Sequence, residues 1–273
     1  MDIRTFLWGR KACQKILSLI SDPLSSRSIH FDFSVIIPAY NEEDYLRSTL
    51  GALRQACKAV SPLSGEIIVV DNQSTDQTSK TALDFGCKVV REEIHQIAKV
   101  RNTGAKVAGG RYLIFVDADT LVPVATFSSA IHAMKSGEVG CGGACLTFDH
   151  DYSRWFSGKF LPMAWNLISV KLKLFAGSFI FCQSDLFFSC GGFPETHFAG
   201  EEIVLSRKLK KESRKRNKKV LILKEFPVVS SARKLEWYSD WSILKMMLPL
   251  FVFPLLLKSQ SFCRFWYQRP TKN

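Results

Sequence analysis

The stretch Tyr112-Leu-Ile-Phe-Val-Asp-Ala-Asp119 constrains this chain more than any other. A run of apolar, strand-forming residues has the pattern of a buried strand. It stops abruptly at two carboxylates separated by one small residue. Open α/β sheets bind ligands outside the carboxyl ends of their strands, and Asp117 and Asp119 fall at such an edge. Two adjacent carboxylates repel each other and lose hydration there, so a positive group is expected between them. A divalent ion carrying a phosphate suits the pair, because Mg²⁺ commonly uses one or two carboxylates plus substrate phosphates. Taken alone, the motif is equally well read as a solvated Asp-Ala-Asp turn.

The flanking pattern supports a sheet. Phe33-Ser-Val-Ile-Ile37 reads as a first strand ended by Pro38, and Leu46, Leu50, Leu53 and Cys57 then recur at helical spacing over 43–60. Glu66-Ile-Ile-Val-Val70 is a second strand. The turn Asp71-Asn-Gln-Ser-Thr-Asp76 leads into a helix with Ser74 or Thr75 as N-cap. Cys87–Val90 is a third strand, and a helix over 97–108 is stopped by Gly109-Gly110. Strands alternating with helices at this pitch imply right-handed βαβ units and a mostly parallel sheet. Beyond Asp119 the pattern loosens. Helices are expected over 124–136 and 201–211, and strands over 139–148, 178–182 and 219–226. An aromatic, amphipathic stretch over 152–174 is expected to cover one side of a cleft.

With 273 residues, 47% of them hydrophobic, the chain can bury one sizeable core and carry a tail. Its formal charge of +12 favours anionic partners: a nucleotide diphosphate, an anionic membrane surface or nucleic acid. No nucleic-acid-binding signature accompanies the charge, so nucleic acid is not expected as a partner. The eight Cys form no CxxC pair and have no His at zinc-like spacing, which fits reduced thiols in a cytosolic setting. Residues 3–20 lack the uninterrupted apolar core of a signal peptide. They suit a basic amphipathic helix lying on a membrane, or a plain docking helix.

The first strand-to-helix turn, Pro38-Ala-Tyr-Asn-Glu-Glu43, is neither a dinucleotide fingerprint nor a phosphate loop. Tyr40 offers an aromatic face for a nucleobase, with Asn41 or Glu42 in reach of a ribose hydroxyl. Helix capping by Asn41 is the competing role. Asp71 at the second turn has the same two options, a base N–H or a cap.

Four segments occur in a fixed order: Val35-Ile-Ile-Pro-Ala-Tyr-Asn-Glu-Glu43, Val69-Val-Asp-Asn-Gln-Ser-Thr-Asp76, Ala98-Lys-Val-Arg-Asn-Thr-Gly104 and Phe115-Val-Asp-Ala-Asp119. Together they resemble the nucleotide-sugar half of family 2 glycosyltransferases, which have the GT-A fold. The likeness is close over 33–125 and looser to about residue 212. It implies that Pro38, Tyr40 and Glu42 line a nucleoside pocket and that Asp71 binds the base. It places Arg101 and Asn102 near the donor. Asp117 and Asp119 then correspond to the DXD motif, with Asp119 as main metal ligand and Asp117 on the ribose or the metal's hydration shell. The implied ion is Mg²⁺ or Mn²⁺ bridging the diphosphate. In the family a catalytic base lies in a Glu-Asp pair that opens a helix after a Gly-Gly-Phe loop. Here Gly191-Gly-Phe-Pro-Glu195 is followed by Glu201-Glu202. Glu202 takes the place of the usual Asp, one methylene longer, and is the implied base. His197 lies close to this pair; some GT-A enzymes supply a C-terminal His to the metal or diphosphate, and a surface role is the simpler reading.

The run Arg207–Lys219 is dense in positive charge and suits either a solvated helix end or anionic lipid head groups. Trp241–Leu257 is apolar but short for a membrane span, and it carries Lys245, Pro249 and Pro254. It fits an interfacial segment or a homodimer contact. Trp237, Tyr238, Trp241, Trp266 and Tyr267 suit a membrane interface. Ser230-Ser-Ala-Arg-Lys234 resembles tails of some bacterial family 2 enzymes.

The expected organisation is therefore a basic N-terminal segment (1–30), a GT-A α/β domain (31–226) and a hydrophobic tail (227–273). Within the domain, 31–125 is the donor half and 126–226 a mixed acceptor half. The expected activity is metal-dependent inverting transfer from a UDP- or GDP-linked sugar to an acceptor hydroxyl on a glycan or lipid-linked molecule. The expected location is cytoplasmic, peripheral on the inner face of a membrane. A nucleotidyltransferase, or a degenerate GT-A domain that only binds, is the alternative.

Overall fold

A computed structural model of the chain describes residues 29–149, 155–237, 239–243, 245, 254–263 and 267. The expected N-terminal segment up to residue 28 and most of the 241–257 stretch lie outside the described residues.

Among the described residues, eight strands make one sheet. They are β1 (Phe31–Ala39), β2 (Gly65–Asp71), β3 (Lys88–Arg91), β4 (Gly110–Val116), β5 (Thr120–Leu121), β6 (Val139–Phe148), β7 (Phe179–Gln183) and β8 (Lys219–Ser230), in the spatial order β3-β2-β1-β4-β7-β6-β8-β5. The first four are parallel. β7 runs antiparallel between β4 and β6, and β8 pairs parallel with β6 and antiparallel with β5. The helices are α1 (Glu43–Ala59), α2 (Thr78–Asp84), α3 (Ile97–Val107), α4 (Val124–Lys135), α5 (Leu161–Leu172), α6 (Ser184–Ser189), α7 (Glu201–Lys215) and α8 (Arg233–Trp237). A π-helical turn, Trp155–Phe160, precedes α5.

Strand alternation divides the interior into two cores. Phe33, Val35 and Ile37 of β1 and Tyr112, Ile114 and Val116 of β4 face one way, onto α1 and α4. Ile36, Leu113 and Phe115 face the other way, with α3, α6 and α7. Both faces are covered, as a parallel sheet requires. α1 seats Leu46, Leu50, Leu53 and Ala56 in the first core, one helical face at the period the sequence displays. Phe115 is fully buried, with its ring centroid 5.2 Å from Phe187 and 5.0 Å from Phe193. The strand that delivers Asp117 and Asp119 is thus anchored by aromatic packing from two later segments.

Three expectations change. The strand read over 219–226 continues to Ser230, so a domain boundary at 226 would cut it. Its pairing with β6 skips residues around Pro227, which has no N–H for the ladder, and resumes at Leu146↔Val228. α2 begins at Thr78 and is not capped by Ser74 or Thr75. Asp76 accepts the Thr78 N–H instead (2.9 Å), because Ser74 and Thr75 are engaged with the first turn. Tyr267, expected at a membrane interface, packs on the domain's own Phe198 and His95 and accepts the Ile97 N–H. Among the described residues, no helix is long and apolar enough to cross a membrane.

Candidate active site

β1 has β2 on one side and β4 on the other, so the strand order reverses there. The crevice of such a sheet opens over the carboxyl ends of those strands. The turns after β1, β2 and β4 all converge at that edge.

The first two turns are stapled to each other. Asn41 sits in the left-handed region (φ 53°), which an Asn tolerates. It accepts the Thr75 N–H on its side chain (2.8 Å) and donates its own N–H to Ser74 Oγ (3.0 Å). Glu43 accepts the Gln77 N–H, and its own N–H goes to Asp76. Asp71 is buried and accepts from Ser74 N–H (3.0 Å) and Ser79 Oγ (2.8 Å). Each of its oxygens can still accept one more bond, so the turn-forming role leaves room for a base N–H. Tyr40 is partly exposed and lies edge-on to His95, with ring centroids 4.4 Å apart. Pro38 pairs opposite Val70, one position before the β1–β2 ladder ends at Ala39↔Asp71.

Two arginines organise the carboxylates. Arg233 grips Glu42 with both Nη atoms (2.7 and 2.6 Å), and its Nη2 is also 2.9 Å from Asp119 Oδ2. Its guanidinium lies 4.4 Å over the Tyr45 ring. Burial opposes its charge, but the Glu42 bonds and Asp119 outweigh burial and hold it firmly protonated. Arg101 is fully buried and donates to Asp117 Oδ1 (2.7 Å) and Glu201 Oε1 (2.7 Å). The chain leaves space for it: a Cβ on Gly177 would sit 2.7 Å from Nη2. Arg101 thereby joins the end of β4 to the start of α7.

Glu201, expected with Glu202 in the catalytic pair, is buried and ion-paired with Arg101. Glu202 makes up the rest of the α7 N-terminus. Loss of hydration raises its pKa, the negative Glu201 raises it further, and Arg101 offsets only part, so it is pushed up to about 8. A carboxylate tuned this way can take a proton near neutral pH.

Asn102, expected near the donor, donates its amide to Phe193 O (2.9 Å) and Glu195 Oε1 (3.0 Å) and accepts the Phe193 N–H (3.0 Å), so it fixes the Gly-Gly-Phe loop. Gly192 has φ +64°, and a Cβ there would lie 2.7 Å from Asn102 Oδ1. That loop leads to Gly200, also left-handed, from which α7 starts. His197 touches Thr196, and burial lowers its pKa.

Among the described residues, no cluster of three or more His, Cys, Asp or Glu could cage a metal. The Asp117/Asp119 pair nevertheless suits an ion that completes its coordination with phosphate and water, as Mg²⁺ commonly does. The described cysteines are free, and burial pushes the Cys141 thiol up to about 12, far from metal-binding thiolate.

Sequence reasoning missed Arg233 as part of this site. Its only signal was the tail likeness around 230–234.

This sheet order with a carboxylate-lined crevice defines a GT-A domain. Solved structures agree. Staphylococcus aureus TarS 1–349 in complex with UDP-GlcNAc superposes with TM-score 0.56 at 22% identity, covering 74% of this chain and 59% of that one. Glucosyl-3-phosphoglycerate synthase from Mycobacterium tuberculosis, in complex with Mn²⁺, UDP and glucosyl-3-phosphoglycerate, superposes with TM-score 0.58 at 18% identity, covering 85% and 81%. The model of glycosyl transferase family 2 matches residues 34–192, and the chain belongs to that family. The uncharacterized glycosyltransferase EpsJ of Bacillus subtilis (strain 168) is 33% identical over 118 residues, which is 40% of this chain and 33% of EpsJ. The poly(ribitol-phosphate) beta-N-acetylglucosaminyltransferase TarS of Staphylococcus aureus is 36% identical over 104 residues, 36% of this chain and 18% of TarS. The chain thus spans a third or less of these curated relatives.

Proposed function

We propose that the protein is a metal-dependent inverting glycosyltransferase that moves a sugar from a nucleoside-diphosphate donor to an acceptor hydroxyl. The observation that carries this reading is the Asp117–Arg101–Glu201 bridge, which ties the donor-side carboxylates to the helix bearing Glu202. That link holds the donor-side carboxylates close to the base helix, and a single displacement needs such proximity. Tyr40 and Asp71 would hold the nucleoside, and Asp117 and Asp119 would hold the metal. When bound, the ion supplies Lewis-acid stabilisation of the leaving diphosphate. Glu202 takes the proton from the acceptor hydroxyl as its oxygen bonds to the anomeric carbon. The bond from that carbon to the phosphate oxygen breaks on the opposite face, and the diphosphate leaves with the electron pair. The named complexes of the solved relatives, with UDP-GlcNAc and with UDP and Mn²⁺, support a nucleotide-sugar donor and a divalent ion.

Asp119→Asn should reduce transfer by about 10²–10³-fold, the scale of losing several kcal/mol of charge stabilisation. Initial rates across a Mn²⁺ series would show it. Unchanged turnover would remove the metal from the mechanism.

The reading extends to an anionic membrane as partner and to a peripheral location. The +12 charge supports it, together with Met163 (65% exposed), Leu167 (56%) and Leu172 (55%) on α5 beside Lys159 and Lys171. Co-sedimentation should be stronger with vesicles containing phosphatidylglycerol than with phosphatidylcholine alone, should weaken with salt, and should fall for Leu167→Glu. Equal pelleting with both vesicle types would end this extension.

A further inference from the structure

Resting on the metal–diphosphate reading above, we propose that Arg233 is a resident counter-cation of the donor pocket. It keeps the metal's place on Asp119 until a nucleoside diphosphate arrives, and then turns its guanidinium onto the phosphates.

Three observations converge. The first is where the charge sits. Nη2 of Arg233 is shared between Glu42 Oε1 (2.6 Å) and Asp119 Oδ2 (2.9 Å), and Asp119 is the carboxylate expected to take the ion. A divalent ion bonded to that oxygen at ~2 Å would lie against a guanidinium of like charge, so the two exclude each other. The second is an unsatisfied donor. Among the described residues, Arg233 Nε is buried and has no hydrogen-bond partner. A buried guanidinium N–H without an acceptor is costly, and a phosphate oxygen is the acceptor that a guanidinium fork takes most readily. The third is tethering. Ser231 donates its N–H to the Asp119 carbonyl (3.1 Å), and Ala232 donates its N–H to Asp149 Oδ1 (3.0 Å). The backbone just before Arg233 is therefore fixed to Asp119 itself. The side chain can leave the carboxylate without leaving the pocket.

The exchange balances charge. Without donor, Arg233 compensates Glu42 and Asp119. With donor, the ion compensates Asp119 and part of the diphosphate charge, while Arg233 keeps one Nη on Glu42 and turns Nη2 and Nε to a phosphate oxygen. Metal and nucleotide then bind as a unit, and the ion alone binds poorly.

The test measures Mn²⁺ binding by electron paramagnetic resonance, with and without UDP, and UDP binding by calorimetry in Mn²⁺. Wild type should retain Mn²⁺ only when UDP is present. Arg233→Gln should bind Mn²⁺ without UDP at least ~10-fold more tightly than wild type, and should bind UDP ~10-fold more weakly in Mn²⁺. Arg233→Lys keeps the charge but loses the fork, and should fall between the two on both measures. It also serves if the Gln variant does not fold. Equal donor-free Mn²⁺ affinity in wild type and both variants, with Mn²⁺ retained by all three in UDP, overturns the Arg233 proposal and leaves the metal reading standing. UDP binding with no Mn²⁺ retained by any of them overturns both.

Discussion

Glu202→Gln is expected to lower transfer by about 10²–10⁴-fold, the usual contribution of a positioned general base. Donor affinity should stay within a few-fold of wild type, because the residue stands on α7, apart from the donor-side turns. The pH dependence makes the assignment specific. Glu202 must be ionised to accept a proton, and its pKa is pushed up to about 8, first by loss of hydration and then by Glu201. The rate constant kcat/KM should therefore climb with pH through a limb well above the ordinary carboxylate range. Glu201→Gln removes a negative neighbour and leaves Arg101 less neutralised, so it should move that limb to lower pH. Stability should run the opposite way. A carboxyl with a raised native pKa binds its proton more tightly folded than unfolded. Its stabilisation is full below the unfolded value of 4.5 and is lost as pH rises toward 8. Thermal melts of Glu202→Gln should show a shallower loss over that window. Retained turnover in Glu202→Gln, or a limb unmoved in Glu201→Gln, would place the base elsewhere.

Much of the donor half is legible in the sequence because its physics is local. The buried strands announce themselves as apolar runs, β2 ends at Asp71, β4 stops just before Asp117, and Pro38 lies one residue before the end of β1. Sheet-edge ligand binding then follows from topology. What the sequence hides is pairing across distance. Arg233 meets Glu42 across 191 positions, and nothing near either residue announces the other. Asn102 sits in a motif associated with the donor, yet its amide is consumed 91 residues away by the Phe193 backbone. Tyr267 looked like an interface aromatic because composition cannot distinguish membrane from a neighbouring ring. The end of β8 was missed for a local reason: Pro227 interrupts a strand pattern that the sheet resumes beyond it.

Arg101→Met is expected to cost the fold about 3–5 kcal/mol, the usual effect of deleting one partner from a buried charge network. For a domain of this size that corresponds to a drop in Tm of roughly 6–20 °C. Arg101 is 2% exposed and compensates two carboxylates at 2.7 Å, Asp117 and Glu201, with the Glu202 carboxyl nearby. Methionine fills much of the volume, so the loss reflects charge more than cavity. Activity should fall even in the folded fraction. Arg101 lowers the Glu202 pKa, and without it the base limb should move to still higher pH. Asp117 would also lose the bond that orients it at the end of β4. The double variant Arg101→Met/Glu201→Gln separates the two effects. It removes one of the orphaned charges and should recover part of the lost Tm, because the two residues share one interaction. It should not recover transfer, because Asp117 is still unbraced. A single variant that melts within ~2 °C of wild type would mean that Asp117 and Glu201 find other compensation, and that the bridge from donor edge to base helix is not what holds the cleft together.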